Sequence, residues 1–153
     1  MSKYFEYEEF VISQMAVRYG LNNLPPDSMV GNIARLMVSM DMIRENVGKP
    51  IIITSGYRSA QVNKIIGGSR NSAHMDGRAA DFICPRFGTP LDLAKHIRNH
   101  IPRLAYHQLI WEGNWVHIEI PREGEVPRQE CLTANFVDGH VSYHSGFPSV
   151  SIT

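Results

Sequence analysis

The sequence predicts an α+β fold in which N-terminal helices pack on a small, mostly antiparallel sheet. Apolar residues recur every three or four positions between Met29 and Val47, which is typical of an amphipathic helix. Short runs rich in β-branched and aromatic residues follow, as in strands. Near the end of the chain, Asp138-Gly139 separates two such runs, which indicates a hairpin.

Two helices are predicted before residue 49. The first is a short amphipathic helix over residues 4–19, which Gly20 ends. The second carries the apolar stripe; Asp27 or Ser28 caps its N-terminus, and Gly48 follows its last turn. Because methionines at this spacing usually pack inside a protein, we expect the stripe to be buried.

The middle of the chain is predicted to alternate between strands and helices. A β-branched run at 50–54 predicts a buried strand, and Ser59 caps a short helix that ends at Gly67. A second strand is predicted at 78–84. A helix over 89–100 follows, because it opens with a Thr-Pro start signal.

The C-terminal part predicts two hairpins. Glu-Gly-Asn joins strands at 108–111 and 115–120, and Asp-Gly joins strands at 132–137 and 140–143. Residues 121–153, which include the second hairpin, can form a partner-binding extension or cover a sheet edge.

Length and composition limit the class of protein. The 153 residues suit a single domain, and 43% hydrophobic residues suffice for a packed core. Fifteen basic and fifteen acidic residues give no net charge, which argues against broad binding to nucleic acid or anionic lipid. Two cysteines, Cys84 and Cys131, are too few for a disulfide scaffold, so we expect them to be unbridged. We also expect a monomer.

Neither a membrane span nor a secretory signal is expected. No apolar run approaches the roughly 20 residues that a spanning helix needs. The first ten residues contain several acids and are not followed by the apolar stretch of a signal peptide. We therefore expect synthesis in a cytoplasm, and release by another agent if the protein acts outside it.

Three polar side chains lie in or beside apolar segments, where a buried polar group needs a partner. Asp81 and His117 lie inside predicted apolar strands, and His74 lies in the polar loop ahead of Asp81. A buried charge is costly without a partner, and one zinc ion held by all three would provide it. Three protein ligands leave the fourth zinc position for a water molecule, as in catalytic sites. Taken singly, each residue is more typical of an ordinary structural role: a lone histidine in a strand is usually a hydrogen-bonded core or surface residue, and a lone aspartate between apolar neighbours is often a cap or a salt-bridge partner.

The surrounding motifs carry a family resemblance. The sequence SGYRS at 55–59, SAHMDGRAAD at 72–81 and WVH at 115–117 occur in this order. Together they resemble the zinc D-Ala-D-Ala carboxypeptidases, a family that includes phage L-alanyl-D-glutamate endolysins and has the Hedgehog/DD-peptidase fold. The resemblance covers about residues 24–120, and 121–153 form a C-terminal extension.

The resemblance implies roles for four residues, and Ser72 lies two residues before one of them. It implies that His74, Asp81 and His117 bind one zinc ion, and that the substrate is a peptidoglycan stem peptide. It implies that Arg58 binds substrate and stabilises the developing oxyanion, which suits a fixed guanidinium; a structural salt bridge is the alternative. Ser72 contacts substrate or shapes the loop.

The general base is the open position of the site. Many relatives carry Glu three residues before the last histidine, where this chain has Asn114, which cannot exchange protons. Glu112, five residues before His117, is the first candidate. Glu119, two residues after His117 and on the same side of its strand, is the second.

Two classes of function follow. The first is a zinc peptidase of D,D-carboxypeptidase or L,D-endopeptidase type, with zinc-bound water as nucleophile. A phage lysin released to the cell wall, a virion-associated enzyme and a cytoplasmic recycling enzyme all fit that activity. The second is a catalytically inactive binding or structural module that zinc stabilises, in which Asn114 marks a lost base.

Overall fold

The computed structural model describes residues 2–149, over which the chain forms four α-helices, two 3-10 turns and six strands. The helices are α1 (Gln14–Arg18), α2 (Asp27–Val47), α3 (Ala60–Ile66) and α4 (Pro90–His100). The strands are β1 (Ile52–Ser55), β2 (Ala79–Ile83), β3 (Gln108–Trp111), β4 (Val116–Glu119), β5 (Glu130–Val137) and β6 (His140–Ser145). The 3-10 turns are Tyr7–Phe10 and Ala73–Asp76.

All six strands form one sheet in the order β1-β2-β4-β3-β5-β6. Every neighbouring pair is antiparallel except β3 and β5, which run parallel. The predicted α+β class with a mostly antiparallel sheet is therefore confirmed. The helices do not all precede the sheet, because α3 separates β1 from β2 and α4 separates β2 from β3. Among residues 2–149, no helix is both long enough and apolar enough to cross a membrane.

Helix α2 supplies the largest apolar face of the core. Ile33, Leu36, Met40 and Ile43 have no solvent exposure, so the predicted stripe is confirmed. Gly48 ends the helix with a left-handed backbone, at a φ of 69°. The predicted capping residue is wrong. The helix begins at Asp27, one residue after Pro26, which leaves the Asp27 side chain in the first turn beside the positive end of the helix dipole.

The prediction of a single helix over residues 4–19 is wrong. The segment forms the 3-10 turn Tyr7–Phe10, which is followed by α1. The break arises because the Ser13 hydroxyl accepts a hydrogen bond from the Ala16 backbone N–H and starts a new helix. The turn buries Phe10 completely, and the Phe10 carbonyl accepts a 2.7 Å hydrogen bond from the Tyr57 backbone N–H. The N-terminal segment is thereby joined to the loop after β1.

The remaining predicted elements occur with small differences. Ser59 and Thr89 cap α3 and α4 as expected, and both hairpins are present. The first strand is shorter than predicted and is not buried throughout, since β1 is an edge strand and Ile52 is half exposed. Cys84 and Cys131 are both free.

The two faces of the sheet have different tasks. Ala80, Phe82, Leu109 and Ile118 are fully buried on one face and belong to the same core as the apolar residues of α2 and α4. Because side chains alternate along a strand, the residues between them point to the other face. That face carries Asp81 and the other side chains of the candidate site.

Gly56 tests how the N-terminal segment is fixed to the sheet. A Cβ atom at this position would lie 2.4 Å from the Phe10 carbonyl oxygen, which is backbone and cannot swing away. We expect Gly56→Ala to lower the free energy of unfolding by about 1–3 kcal/mol through overpacking, measured by urea unfolding. Gly31→Ala is the control; it lies in α2 with open space around it, and should stabilise by up to about 1 kcal/mol. Equal stabilities for Gly56→Ala and the unchanged protein would contradict this packing.

Candidate active site

His74, Asp81 and His117 come together on the open face of the sheet. The nearest Asp81 carboxylate oxygen, Oδ1, lies 2.8 Å from His117 Nδ1 and 3.3 Å from His74 Nε2. One potential ligand atom from each of the three residues lies within 4.8 Å of the others. Their side chains are 4% to 13% exposed, so the group lies at the bottom of a cleft rather than on the surface.

Strand pairing and one turn create this arrangement. Asp81 on β2 is directly opposite His117 on β4, and opposite residues of an antiparallel pair point to the same face. His74 belongs to the 3-10 turn that leads into β2, and the Ser72 hydroxyl accepts a hydrogen bond from its backbone N–H. Gly77 ends that turn at a φ of 73°, a conformation that glycine adopts without strain.

The His74 ring is held in one orientation. Its Nδ1 lies 2.7 Å from the Gly56 carbonyl oxygen, which can only accept, so Nδ1 carries the proton. Burial lowers the pKa of His74, which keeps the ring neutral. Nε2 is then the free nitrogen on the side of Asp81. This is the state in which histidine binds a metal ion, with a carbonyl fixing its tautomer.

The Asp81 carboxylate is charged although it is buried. Burial opposes its ionisation, but at acidic pH, where His74 is protonated, the charge of His74 and the hydrogen bond with His117 outweigh burial and hold the pKa of Asp81 well below its usual range. Two imidazole nitrogens and one carboxylate oxygen are a donor set that zinc accepts. The residues present therefore fit a zinc ion with three protein ligands.

Arg58 contacts the second oxygen of the same carboxylate. Its Nη2 donates to Asp81 Oδ2 at 3.2 Å, Nε donates to Ser55 Oγ, and Nη1 donates to Asn63 Oδ1. The side chain is 12% exposed. Arg58 thus forms a salt bridge, but with the buried carboxylate at the centre of the site rather than with a surface group.

The two candidate bases have different surroundings. Glu112 Oε2 lies 4.0 Å from His117 Nδ1 and accepts a 2.8 Å hydrogen bond from Trp115 Nε1. Burial raises the pKa of Glu112. Glu119 instead forms an ion pair with buried Arg78 at 3.3 Å. Glu112 therefore lies beside His117, whereas the Glu119 carboxylate is engaged by Arg78.

The site opens into a cleft of about 720 Å³. One wall is the loop between α3 and the second 3-10 turn, which includes Gly68, Ser69 and Ser72. The other wall is the β5–β6 hairpin, with Phe136, Val141 and Tyr143. The floor carries the titratable residues described above, namely Arg58, His74, Asp81, Glu112, His117 and Glu119.

The hairpin wall was not predicted as part of the site. Its apolar residues stand in the extension, and only the strand order brings them beside β3 and β4. Burial raises the pKa of Tyr143, and the negative charges of Glu112 and Asp81 raise it further, so the phenol lies within their electrostatic reach. Alternation of apolar residues along both strands was the available signal, but it did not show which face they share with His117.

Comparison with known proteins agrees with the motifs and the geometry. The family model of peptidase M15 matches residues 3–119, about three quarters of the chain. A zinc D-Ala-D-Ala carboxypeptidase from Streptomyces albus G is 40% identical over 65 residues, which are 42% of this chain. The matched part is only 25% of that relative's length. The extent of the family match shows that this chain belongs to the peptidase M15 family.

Proposed function

We propose that this chain is a zinc peptidase that hydrolyses a peptide bond in the stem peptides of bacterial peptidoglycan. The observation that carries the proposal is the buried group of His74, Asp81 and His117 at the bottom of an open cleft. The substrate class follows from the similar Streptomyces carboxypeptidase, which is named for D-Ala-D-Ala. A D,D-carboxypeptidase is therefore the first activity to test, and an L,D-endopeptidase is the second.

The three ligand roles are the first part of the proposal. His74, Asp81 and His117 would hold one zinc ion, in agreement with the zinc that the similar carboxypeptidase is named for. Zinc bound there supplies a water molecule of lowered pKa and polarises the scissile carbonyl. The protein itself keeps His74 buried and His117 mostly buried, and it directs His74 Nε2 towards the Asp81 carboxylate.

Arg58 and Ser72 would bind the substrate. An arginine side chain has five N–H donors, and three of those on Arg58 make the contacts with Ser55, Asn63 and Asp81. The other two can bind a peptide carboxylate or the oxyanion that develops from the carbonyl. Ser72 lines the cleft, and its hydroxyl oxygen is already an acceptor for His74, so its O–H can be donated to substrate.

Glu112 would be the general base. It accepts a proton from the attacking water and returns it to the leaving amine, which restores the starting state. Its raised pKa suits both steps, because a carboxyl group that is too acidic would not hold the proton long enough to transfer it. The Trp115 indole N–H fixes one carboxylate oxygen and so limits the orientation of the group.

Removal of one proposed ligand should remove the metal. We expect the purified protein to contain stoichiometric zinc and His117→Ala to lose most of it, since two remaining ligands do not form a stable site. Zinc is measured by inductively coupled plasma mass spectrometry after dialysis. His144→Ala is the matched control, because His144 is exposed on β6 and its side chain forms a hydrogen bond with Asn135, away from the three proposed ligands. Equal zinc contents in the two variants would contradict the ligand assignment.

The two carboxylates can be separated by their effect on turnover. We expect Glu112→Gln to lower kcat on a synthetic stem pentapeptide by about 10²–10⁴-fold while zinc content stays unchanged. Glu119→Gln should lower kcat less than about tenfold, because Glu119 is engaged with Arg78 and outside proton transfer. Mass spectrometry of the products gives the rate and the bond that is cut.

Two results would oppose this account in different ways. A larger loss of kcat in Glu119→Gln than in Glu112→Gln would exchange the roles of the two carboxylates. A zinc-loaded wild-type protein that cuts no bond of the stem pentapeptide would refute the peptidase proposal. That result would favour the inactive module that zinc stabilises.

A further inference from the structure

The β5–β6 hairpin exposes large apolar side chains on one face. Phe136 and Tyr143 are 58% and 50% exposed, and Val141 is 45% exposed. Phe136 and Val141 are cross-strand partners, and Tyr143 follows Val141 by two residues, so all three point to the same face. Exposed apolar groups that adjoin one another usually mark a binding surface.

The strand register places this face next to the candidate site. Leu132 on β5 is opposite Ile110 on β3, and Ile110 is opposite His117 on β4. Opposite residues share a face, and Phe136 lies four residues after Leu132 on the same strand. The apolar row therefore continues the face that carries His117, and its side chains line the same cleft.

The walls of the cleft differ in chemistry. The wall formed by Gly68, Ser69 and Ser72 offers backbone groups and hydroxyls, whereas the hairpin wall offers two rings and an aliphatic side chain. A peptide lying between them would meet hydrogen-bonding groups on one side and apolar groups on the other. The family match ends at residue 119, so the apolar wall is formed by the part of the chain beyond it.

We propose that the β5–β6 hairpin is a specificity wall of the active site, and that Phe136, Val141 and Tyr143 bind an apolar side chain of the peptide beside the scissile bond. This inference rests on the proposed function, which supplies the peptide as substrate. The occupant is the substrate rather than a partner protein, because the wall is continuous with the cleft that contains Glu112. A protein that covered the hairpin would also close that cleft.

A binding experiment separates this wall from catalysis. The zinc-loaded Glu112→Gln protein is titrated calorimetrically with the stem pentapeptide L-Ala-γ-D-Glu-L-Lys-D-Ala-D-Ala, and with an analogue that has glycine in place of all three alanines. Each buried methyl group should strengthen binding by about fourfold. The variants Phe136→Thr and Val137→Thr are then made in this background. Val137 is the matched control, because it is exposed on the opposite face of the same strand.

We expect Phe136→Thr to weaken binding of the pentapeptide by about tenfold or more and to reduce its preference over the glycine analogue. Val137→Thr should change neither quantity. Zinc content and melting temperature verify that each variant is folded. If Phe136→Thr does not fold, Val141→Thr replaces it, with a weaker effect expected in the same direction.

Three results would overturn the inference. They are equal affinities in Phe136→Thr and Val137→Thr, an unchanged preference for alanine in Phe136→Thr, and no binding of the pentapeptide by the parent protein. Hydrolysis by the wild-type protein is measured separately. Cleavage with hairpin-independent binding refutes only the wall, whereas hairpin-dependent binding without cleavage refutes only the peptidase.

Discussion

The buried carboxylate of Asp81 is the group around which the open face of the sheet is organised. One oxygen faces both histidines and the other faces Arg58, so no part of the charge is left without a partner. An unpaired carboxylate at this depth would lower the free energy of unfolding. Arrangements of β2, β4 and the loop after β1 that separate Asp81 from its partners are therefore disfavoured. The loop contributes twice, since Gly56 accepts from His74 while Arg58 donates to Asp81. The same contacts that stabilise the local fold thereby shape a site that suits a metal ion.

Because side chains alternate along each strand, one face of the sheet packs into the core and the other face carries the candidate site. Residues of β2 and β4 that face α2 and α4 are apolar and fully buried, and they fix the strand register. In that register Asp81 and His117 lie opposite each other and point to the same face. The hairpin extends the same face by two strands, which enlarges the cleft without disturbing the charged floor.

Local signals in the sequence predicted most of the elements. Helix α2, the caps at Ser59 and Thr89 and the Asp-Gly hairpin depend on neighbouring residues, and all were found. Strand order and the parallel pairing of β3 with β5 depend on residues that are distant in the sequence. Local hydrophobic periodicity therefore does not predict them. The break in the N-terminal helix was missed because one hydroxyl, that of Ser13, outweighed the apolar pattern.

The candidate site, too, was predicted only in part from the sequence. Polar residues within apolar runs marked His74, Asp81 and His117, and the structure does bring their side chains together. The difference between Glu112 and Glu119 was invisible in the sequence, because it depends on where Arg78 lies. The apolar wall formed by Phe136, Val141 and Tyr143 was missed, since it becomes part of the cleft only when β5 pairs with β3.

Anomalous diffraction at the zinc edge, from crystals grown with zinc, tests the central claim most directly. The account predicts one strong peak at about 2.0–2.2 Å from a nitrogen of His74, a nitrogen of His117 and an oxygen of Asp81. A peak that is absent from this group, or that lies on other residues, would contradict the account.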